Sequence, residues 1–191
     1  MDQTFPLSMD QPFLPPIEKP HGLMKLVYAL TRRRFGKVLT PVKVITARMP
    51  LAFGRFSQKI AELDKKLVLP AETAMLVREQ VAHLNVCTFC IDIARSIAIQ
   101  ASMNQAKFEA LEDYRTSPLF SDKERAMLDY VTELTKDKKV DLQTFARLRS
   151  FYSEREICDI VWLVASEHFY NMSNIGLNIH SDMLCDLSRR K

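Results

Sequence analysis

The sequence predicts an all-α protein, and three observations lead to that fold class. Only four glycines occur in 191 residues, and none is next to another, so the glycine-rich hairpin turns typical of a β-sandwich or barrel are missing. Leu, Ala, Lys, Glu and Met, all good helix formers, are abundant. Apolar residues recur at helical spacing along most of the chain, and strand-like alternation of useful length is absent.

The length and composition indicate a single all-helical domain with an extended N-terminal arm. Hydrophobic residues make up 47% and charged residues 26% of the chain, as in soluble globular proteins. Five of the nine prolines fall in the first twenty residues, so residues 1–22 are predicted to be an extended or disordered arm. Residues 23–191 are predicted to form the helical domain.

The first half of that domain is predicted to contain five helical segments. A basic amphipathic helix begins at Leu23, where apolar residues recur at helical spacing. The others are predicted over residues 51–69, 71–84, from the cysteine pair to residue 101, and 102–114. Ser102, with Gln105 three residues later, is the expected cap of the last of these.

Two capping boxes mark the helices of the second half. Ser121 and Ser153 are each followed three residues later by a glutamate, Glu124 and Glu156, which predicts a helix start at both sites. A short helix is predicted between them over residues 141–151. The helix after Ser153 is apolar almost all round, so we expect it at the centre of the core.

Composition excludes several classes of function and location. Without clustered glycines the chain has neither a Walker loop nor a dinucleotide-binding fingerprint. Four cysteines are too few for a disulfide scaffold, and the N-terminus lacks the pattern of a secretory signal. No apolar stretch approaches the ~18 residues that span a bilayer. We therefore expect a cytoplasmic protein.

The positive charge is concentrated in one segment. Residues 19–66 hold twelve Lys and Arg against Glu62 and Asp64, a net of +10, whereas the whole chain has a net of +4. Such a segment can bind nucleic acid or an anionic membrane. No recognised nucleic-acid module surrounds it, and its arginines alternate with core-type apolar residues. We therefore predict a solvated face or a contact with another subunit, with no nucleic-acid and no membrane partner.

Cys87 and Cys90 are the residues best suited to chemistry. Cysteines three apart on a helix lie on nearly one face with Cα atoms about 5 Å apart, within the range of a disulfide. Such a pair can cycle between dithiol and disulfide without moving the fold. A helix that begins near Asn85 would favour a thiolate there.

Glu79 and His83 are candidates for a proton relay to these thiols. On a continuous helix, Glu79, His83, Cys87 and Cys90 would project at roughly 0°, 40°, 80° and 20°, and so share one stripe. The imidazole would accept the thiol proton and the carboxylate would orient the imidazole. A helix break at residues 85–86 would spoil this simple arrangement.

Structural roles compete with these interpretations. The two cysteines can be buried small hydrophobes, Glu79 a surface carboxylate and His83 a packed histidine. A zinc site needs four ligands, and the only further cysteines, Cys158 and Cys185, are isolated and expected to be inert, so no metal is predicted.

Four further polar residues receive structural expectations. We expect Asp92 to form a surface salt bridge and His168 to be a core or interface histidine. The amides of Asn171 and Asn174 share one helix side, where we expect them to bind backbone across a subunit contact.

Two segments resemble the superfamily of AhpD-like alkylhydroperoxidases and carboxymuconolactone decarboxylases. The residues that carry the resemblance are 81–92, with the sequence VAHLNVCTFCID, and 152–157 through Asn171 and Asn174 to Gly176. It covers roughly residues 24–184. The resemblance implies an all-helical homo-oligomer that reduces peroxides with its Cys-x-x-Cys pair and no cofactor. It also implies that Cys90 attacks the peroxide and that Cys87 resolves the product.

The sequence departs from the family pattern at the relay. The family places Glu twelve residues before the first cysteine and His four residues after the second, where this chain has Met75 and Ala94. Our hypothesis is that Glu79 and His83 replace them.

The expected function is therefore thiol-dependent reduction of a hydroperoxide, a peroxiredoxin-type antioxidant activity. The electron donor would be an external dithiol, for example on a lipoylated or thioredoxin-like protein. Two alternatives stay open. One is a lactone-processing or decarboxylating enzyme of the same superfamily, although that branch does not use a Cys-x-x-Cys pair. The other is a non-catalytic helical oligomer whose cysteines sense redox state.

Overall fold

The computed structural model describes residues 8–189, and all regular structure in that range is helical. The α-helices of this range are α1 (Met24–Phe35), α2 (Arg55–Asp64), α3 (Ala71–Leu84), α4 (Thr88–Gln100), α5 (Gln105–Glu109), α6 (Asp122–Asp137), α7 (Leu142–Arg149), α8 (Glu154–Ile175) and α9 (Leu184–Arg189). Single-turn π-helices lie at Val42–Thr46 and Pro50–Gly54, and a 3-10 turn lies at Leu111–Asp113. The all-α prediction is confirmed.

Two predicted helices differ from the observed ones. The helix predicted over residues 51–69 is instead the π-turn Pro50–Gly54 followed by α2, which ends at Asp64. The prediction of a helix from Ser102 is wrong, because Ser102 has a left-handed backbone with φ of 53° and ends α4. The next helix, α5, begins only at Gln105 and is five residues long.

Both predicted capping boxes are present. The Ser121 hydroxyl accepts the amide of Glu124, and the Glu124 carboxylate accepts the amide of Ser121. Ser153 and Glu156 make the same reciprocal pair at the start of α8. Each box satisfies two amides that a helix start leaves unpaired.

The main core surrounds α3, which packs against α4, α6 and α8. Leu76, Val77 and Val81 of α3 are fully buried there, together with Ile160 and Leu163 of α8. The prediction that α8 lies at the centre of the core is confirmed. Burying each such aliphatic side chain contributes roughly 1.5–3 kcal/mol of hydrophobic stabilisation.

A second apolar cluster contains Cys87 and Cys90. It is formed by the end of α1, the first π-turn, the start of α4 and the segment around α9, and its other buried members are Phe35, Leu39, Val44, Ile45, Ala82, Phe89, Ile179 and Leu184. The packing of α9 on α4 closes this cluster from one side. The basic N-terminal segment thus forms part of the wall around the cysteines.

Residues 8–22 pack against the helical domain of the same chain. The amide of Phe13 donates to the carbonyl of Leu177 at 3.0 Å, and the amide of Ile17 donates to the carbonyl of Lys43 at 3.1 Å. The Asn178 side chain donates to the carbonyl of Met9 at 2.9 Å. Residues 1–7 of the predicted arm lie outside the described residues.

Part of the positive charge of residues 19–66 is paired within the chain. Lys43 pairs with Glu18 at 2.9 Å, and Lys37 pairs with Asp182 at 3.0 Å. Arg48 donates to the carbonyl of Pro15 at 2.8 Å. Among residues 8–189, no helix is long and apolar enough to cross a membrane.

Candidate active site

Cys87 and Cys90 form a disulfide at the junction of α3 and α4. Their Cα atoms are 5.2 Å apart, as the three-residue spacing predicts. Cys87 is the residue before the first turn of α4, so Cys90 lies within that turn. The unpaired amides of a helix start carry partial positive charge, which favours a thiolate.

A helix break separates the cysteines from α3. The helix ends at Leu84, and Val86 has a left-handed backbone with φ of 57°. This conformation is a rare one for a β-branched residue. The break turns the chain so that α4 starts in a new direction, and the stripe expected for a continuous helix does not form.

Both cysteines are buried in the disulfide form. Cys87 is 2% exposed and Cys90 is 3% exposed. Phe53 of the second π-turn and Val44 of the first pack in the same cluster. A substrate or reductant therefore reaches the sulfur atoms only when part of this cover moves.

Asn174 contributes a polar contact to the disulfide. Asn174, near the end of α8, donates from Nδ2 to Sγ of Cys90 at 3.4 Å. Asn174 is 4% exposed, and its Oδ1 atom has no hydrogen-bond partner among the described residues. The expectation that Asn174 lies at a subunit contact is wrong, because its side chain faces Cys90 of the same chain.

Glu79 and His83 lie together, as their spacing predicts. His83 Nε2 is 3.3 Å from Glu79 Oε1. Arg95 of α4 joins them: its Nε donates to Glu79 Oε1 at 2.7 Å and its Nη2 lies 3.2 Å from His83 Nε2. An arginine can only donate and a carboxylate can only accept, so Nε2 bonds Arg95 in one tautomer and Glu79 in the other. His83 Nδ1 lies 3.3 Å from Glu112 Oε1.

The relay pair and the cysteines are not joined by a direct hydrogen bond within residues 8–189. The polar partners of Glu79 are His83 and Arg95. Glu79 is fully buried, and its Oε2 atom is unpaired. The relay from these residues to Cys90 therefore stays a prediction, and it requires an intervening water or another group to carry the proton.

The two family relay positions carry apolar side chains. Met75 packs against the main core. Ala94 is buried in α4, 6% exposed. Neither side chain can transfer a proton.

A buried polar network lies on the α3 and α8 faces beside the site. Arg78 pairs with Glu167 at 3.0 Å and with Asp64 at 2.6 Å. Asn171 donates to Glu167 at 2.7 Å and accepts from Asn85 at 2.9 Å. Asn171 thus binds its own chain, and its expected place at a subunit contact is wrong.

Burial changes the protonation of two members of this region. Burial raises the pKa of the Glu167 carboxyl, and Arg78 offsets this only in part. Burial also lowers the pKa of His168, whose Nδ1 lies 3.2 Å from Asn85 Nδ2. His168 is half-buried and lies outside the core clusters of the described residues, so its expected place in a core is not found and its place at an interface stays a prediction.

A pattern in the sequence of α8 predicts this network. Glu167, Asn171 and Asn174 are spaced four and three residues apart, so they form one polar stripe on an otherwise apolar helix. Polar groups on a buried helix face need partners, and such a stripe indicates a site.

Asp92 has a structural role that differs from the expected surface salt bridge. It is 7% exposed, and its carboxylate accepts the amides of Leu184 and Cys185 at 2.9 Å each. It thereby caps the start of α9. Burial and Asp92 raise the pKa of the Cys185 thiol to about 12, so this cysteine is a poor nucleophile. No cluster of three or more His, Cys, Asp and Glu side chains that could hold a metal occurs in residues 8–189.

Relatives by sequence cover most of the chain. The uncharacterized protein YnjA of Escherichia coli strain K12 is 27% identical over 180 residues, which are 93% of this chain and 98% of YnjA. The uncharacterized protein YdfG of Bacillus subtilis strain 168 is 25% identical over 107 residues, which are 55% of this chain and 73% of YdfG.

The fold is shown by solved structures that superpose on this chain. An uncharacterized peroxidase-related protein from Ralstonia eutropha JMP134, described as an alkylhydroperoxidase AhpD core, superposes with a TM-score of 0.68 at 18% identity, over 92% of this chain and 94% of that one. The chain has the AhpD-like superfamily fold. A cysteine-to-alanine variant of the debrominase Bmp8 in complex with 2,3,4-tribromopyrrole shares this AhpD-like fold, with a TM-score of 0.75 at 16% identity over 92% of this chain and 98% of Bmp8.

Residues 58–167 also match the family described as DNA polymerase III, delta subunit. This range is more than half of the chain, and by sequence it assigns the chain to that family. The range leaves out Asn171 and Asn174, and it also leaves out α1 and α9, which help to enclose the cysteines. The AhpD-like structures cover up to 92% of the chain, so that fold and the site are the basis for the function proposed below.

Proposed function

We propose that the chain is a thiol-dependent peroxidase that reduces hydroperoxides with Cys87 and Cys90. The observation that carries the proposal is their disulfide at the start of α4, in an AhpD-like fold. A dithiol at this position can be oxidised and reduced while the helices that hold it stay in place, because its two Cα atoms are already 5.2 Å apart.

The reaction begins at Cys90 in the reduced protein. Its thiolate attacks the terminal oxygen of the hydroperoxide, the O–O bond breaks, and the alkoxide takes a proton and leaves as an alcohol or, from hydrogen peroxide, as water. Cys90 becomes a sulfenic acid. The Cys87 thiol then attacks Sγ of Cys90, water leaves, and the disulfide forms. Position supports Cys90 as the nucleophile, since it lies in the first turn of α4.

An external dithiol completes the cycle. It attacks the disulfide, forms a mixed disulfide and leaves oxidised, which returns both cysteines to thiols. We propose a lipoylated or thioredoxin-like protein as the donor and the cytoplasm as the compartment, because the pair needs a reducing environment. The chemistry uses no metal or organic cofactor.

We propose that the protein works as a homo-oligomer without a nucleic-acid partner. Exposed apolar side chains on α1 and on the residue before it support self-association: Leu23, Leu26 and Leu30 are 69%, 56% and 56% exposed. The delta-subunit match makes DNA binding worth measuring by fluorescence anisotropy with a duplex at about 150 mM salt. Tight binding at that salt concentration would overturn this part of the proposal.

Peroxide turnover tests the proposed activity. We expect the wild-type protein to consume hydrogen peroxide or an organic hydroperoxide with dithiothreitol as the reductant. Cys90→Ser should abolish turnover, whereas reduced Cys87→Ser, freed of dithiothreitol before peroxide is added, should react once and stop at the sulfenic acid. Cys158→Ser is the matched control, because that cysteine is exposed and outside the site. Equal turnover in wild type and Cys90→Ser would reject the peroxidase and favour a redox-sensing role.

A second candidate is thiol-dependent dehalogenation. It is favoured by the likeness to Bmp8, the debrominase that was solved with tribromopyrrole. In that reaction the Cys90 thiolate would take bromine from the ring as a sulfenyl bromide, and the ring carbon would take a proton. Cys87 would then displace bromide and form the disulfide. Bromide release from 2,3,4-tribromopyrrole in the presence of dithiothreitol distinguishes the two candidates.

A further inference from the structure

Asn174 is the polar side chain that faces the reacting sulfur. Its Nδ2 lies 3.4 Å from Sγ of Cys90, and its Oδ1 is buried without a partner in the part of the chain that the structure describes. A buried amide oxygen without a hydrogen bond is unfavourable, because it has lost its bonds to water and gained none in return. An oxygen left unpaired beside a reactive sulfur is therefore well placed to receive a donor from a bound molecule.

The geometry points to Asn174 as a catalytic residue that binds both the Cys90 thiolate and the hydroperoxide. Its Nδ2 donates to the sulfur, and its Oδ1 accepts the O–H of the substrate. Only the contact of Oδ1 with the substrate rests on the proposed peroxidase reaction; the contact of Nδ2 with the sulfur does not. The Oδ1 contact defines the substrate class: the atom that the sulfur attacks must carry a donor hydrogen.

The donor contact stabilises the charged form of the nucleophile. A hydrogen bond to an ionised group is stronger than one to a neutral group. When the disulfide is reduced, the Asn174 N–H that contacts Sγ faces a thiolate instead. The side chains that pack in the cluster around Cys90, such as Val44 and Phe89, carry no hydrogen-bond donor.

The acceptor contact orients the peroxide. In a hydroperoxide the terminal oxygen carries the hydrogen, and that oxygen is the atom the thiolate attacks. An acceptor beside the sulfur holds this hydrogen and so holds the terminal oxygen near Sγ. As the S–O bond forms, the O–O bond breaks, and the hydrogen stays on the oxygen that becomes the sulfenic acid. The amide contact thus persists from substrate to product.

The end of α8 fixes Asn174 in place. Its backbone carbonyl accepts the amide of Ile179 at 2.9 Å and the amide of Leu177 at 3.2 Å. Ile179 belongs to the cysteine cluster. Gly176 allows this close turn, because a Cβ there would lie 3.0 Å from the carbonyl oxygen of Met172.

Alkylation of Cys90 tests the donor contact without any peroxide. The protein is reduced in a Cys87→Ser background, and the rate of iodoacetamide labelling at Cys90 is followed by peptide mass spectrometry against pH. We expect Asn174→Leu, which is similar in volume and lacks the amide, to raise the pKa of the Cys90 thiol by about 1. Ser166→Ala is the control, since Ser166 is buried on α8 and bonds only its own helix.

The ratio of two rates tests the acceptor contact. At about pH 10 a thiol of ordinary pKa is mostly thiolate, so the donor effect on ionisation is removed. We expect Asn174→Leu to slow the reaction of Cys90 with hydrogen peroxide about tenfold while the iodoacetamide rate changes less than about twofold. The carbon of iodoacetamide that the thiolate attacks is a CH2 group without an O–H or N–H donor, so its rate does not depend on an acceptor for the attacked atom.

The outcomes separate the inference from the peroxidase proposal. If wild type reacts with peroxide but Asn174→Leu shows the wild-type pKa and rate ratio, the role of Asn174 is rejected and the peroxidase stands. If wild type does not react with peroxide, the peroxidase and the acceptor contact fail, and the alkylation profile alone decides the donor contact. Asn174→Ala replaces Asn174→Leu if the larger side chain prevents folding.

Discussion

Arg95 Nε donates to Glu79 Oε1 at 2.7 Å and so ties the middle of α4 to α3, the two helices on either side of the break at the cysteines. The side chain of Glu79 is 0% exposed, whereas that of Arg95 is 33% exposed. The buried carboxylate therefore depends on an arginine that still reaches solvent. This ion pair fixes the relative position of the two helices beside the disulfide.

Removing Arg95 should destabilise the protein. We expect Arg95→Met to lower the free energy of unfolding by about 2 kcal/mol, because it leaves the buried carboxylate of Glu79 without its cation. Urea unfolding measures the change. The double variant Glu79→Gln, Arg95→Met should lose less than the sum of the single variants. Arg115→Met, at a side chain that is 63% exposed and paired with Asp129, is the control and should cost less than about 1 kcal/mol. Equal losses at Arg95 and Arg115 would contradict this role.

The relay hypothesis makes its own prediction. If Glu79 and His83 carry the thiol proton, Glu79→Gln and His83→Ala should each slow peroxide turnover about tenfold or more. They should also shift the pH profile of Cys90 alkylation towards higher pH, because the thiolate loses its base.

The control for the relay is Glu112→Gln. Glu112 also faces His83, at 3.3 Å, but its side chain is 79% exposed, so solvent screens its charge. Turnover and alkylation should therefore change little in this variant. Wild-type behaviour of both Glu79→Gln and His83→Ala would show that these residues serve the ion pair with Arg95 and not the thiols.

The helices could be predicted because their signals are local. Ser121 and Ser153 mark their helices through side-chain bonds to residues three positions away, and the apolar spacing of α3 fixes its bounds at Ala71 and Leu84. The left-handed residue Val86 could not be predicted, since valine rarely adopts that backbone.

The partners of the site residues depend on tertiary packing. Asn174 is 84 residues from Cys90 in the chain, and Arg95 is 16 residues from Glu79 on the next helix. No periodicity within one helix specifies which residue of another helix it meets. Sequence patterns therefore predict the thiols and the Glu79–His83 pair, but not that Asn174 contacts Cys90 or that Arg95 contacts Glu79.

Val86 offers a test of the helix break. A left-handed backbone costs a non-glycine residue roughly 1–2 kcal/mol. Val86 is 74% exposed, so its side chain contributes little burial. We expect Val86→Gly to raise the free energy of unfolding by about 0.5–1 kcal/mol, because glycine adopts this backbone at no steric cost.

Val68→Gly is the matched control for Val86. Val68 is 56% exposed, outside a helix and without a positive φ, so glycine there only adds freedom to the unfolded chain. This variant should lose stability. A loss in Val86→Gly as large as in Val68→Gly would show that the left-handed backbone is not costly for valine.

Glu167 should make stability depend on pH in a defined direction. Burial raises the pKa of its carboxyl in the folded protein above the ordinary 4.5. At pH values between the unfolded and folded pKa, the folded state binds more protons than the unfolded state. The stabilisation from the Glu167 carboxyl is therefore present below about pH 4.5 and is lost as the pH rises through the folded pKa.

Glu167→Gln should remove that dependence. Arg78 and Asn171 donate to different oxygens of Glu167, so the glutamine carbonyl keeps one of these two contacts and carries no charge to bury. We expect the stability of wild type relative to Glu167→Gln to fall as the pH rises above about 4.5, as measured by urea unfolding. Glu109→Gln, at an exposed side chain, should show no such trend. A wild-type protein that gains stability relative to Glu167→Gln over this interval would contradict the assignment.

Phe53 should control access to the disulfide. It packs against the cluster that contains Cys87 and Cys90, and its ring stacks on Phe169 with centroids 5.2 Å apart. Both cysteines are at most 3% exposed, so a reductant must wait for this cover to open. Truncating Phe53 removes contacts from the closed state. We expect Phe53→Ala to speed reduction by dithiothreitol about tenfold, which corresponds to ~1.4 kcal/mol on the opening.

Phe56→Ala separates access from a general loosening. Phe56 also contacts Phe169, with centroids 5.0 Å apart, but it is 52% exposed and lies outside the cysteine cluster. Its truncation should leave the reduction rate close to that of wild type. The reduction rate is measured by quenching samples with an alkylating agent and determining the mass of the labelled protein by mass spectrometry. Equal acceleration in both variants would place the cover elsewhere, because then any weakening of the packing around Phe169 would suffice to expose the sulfur atoms.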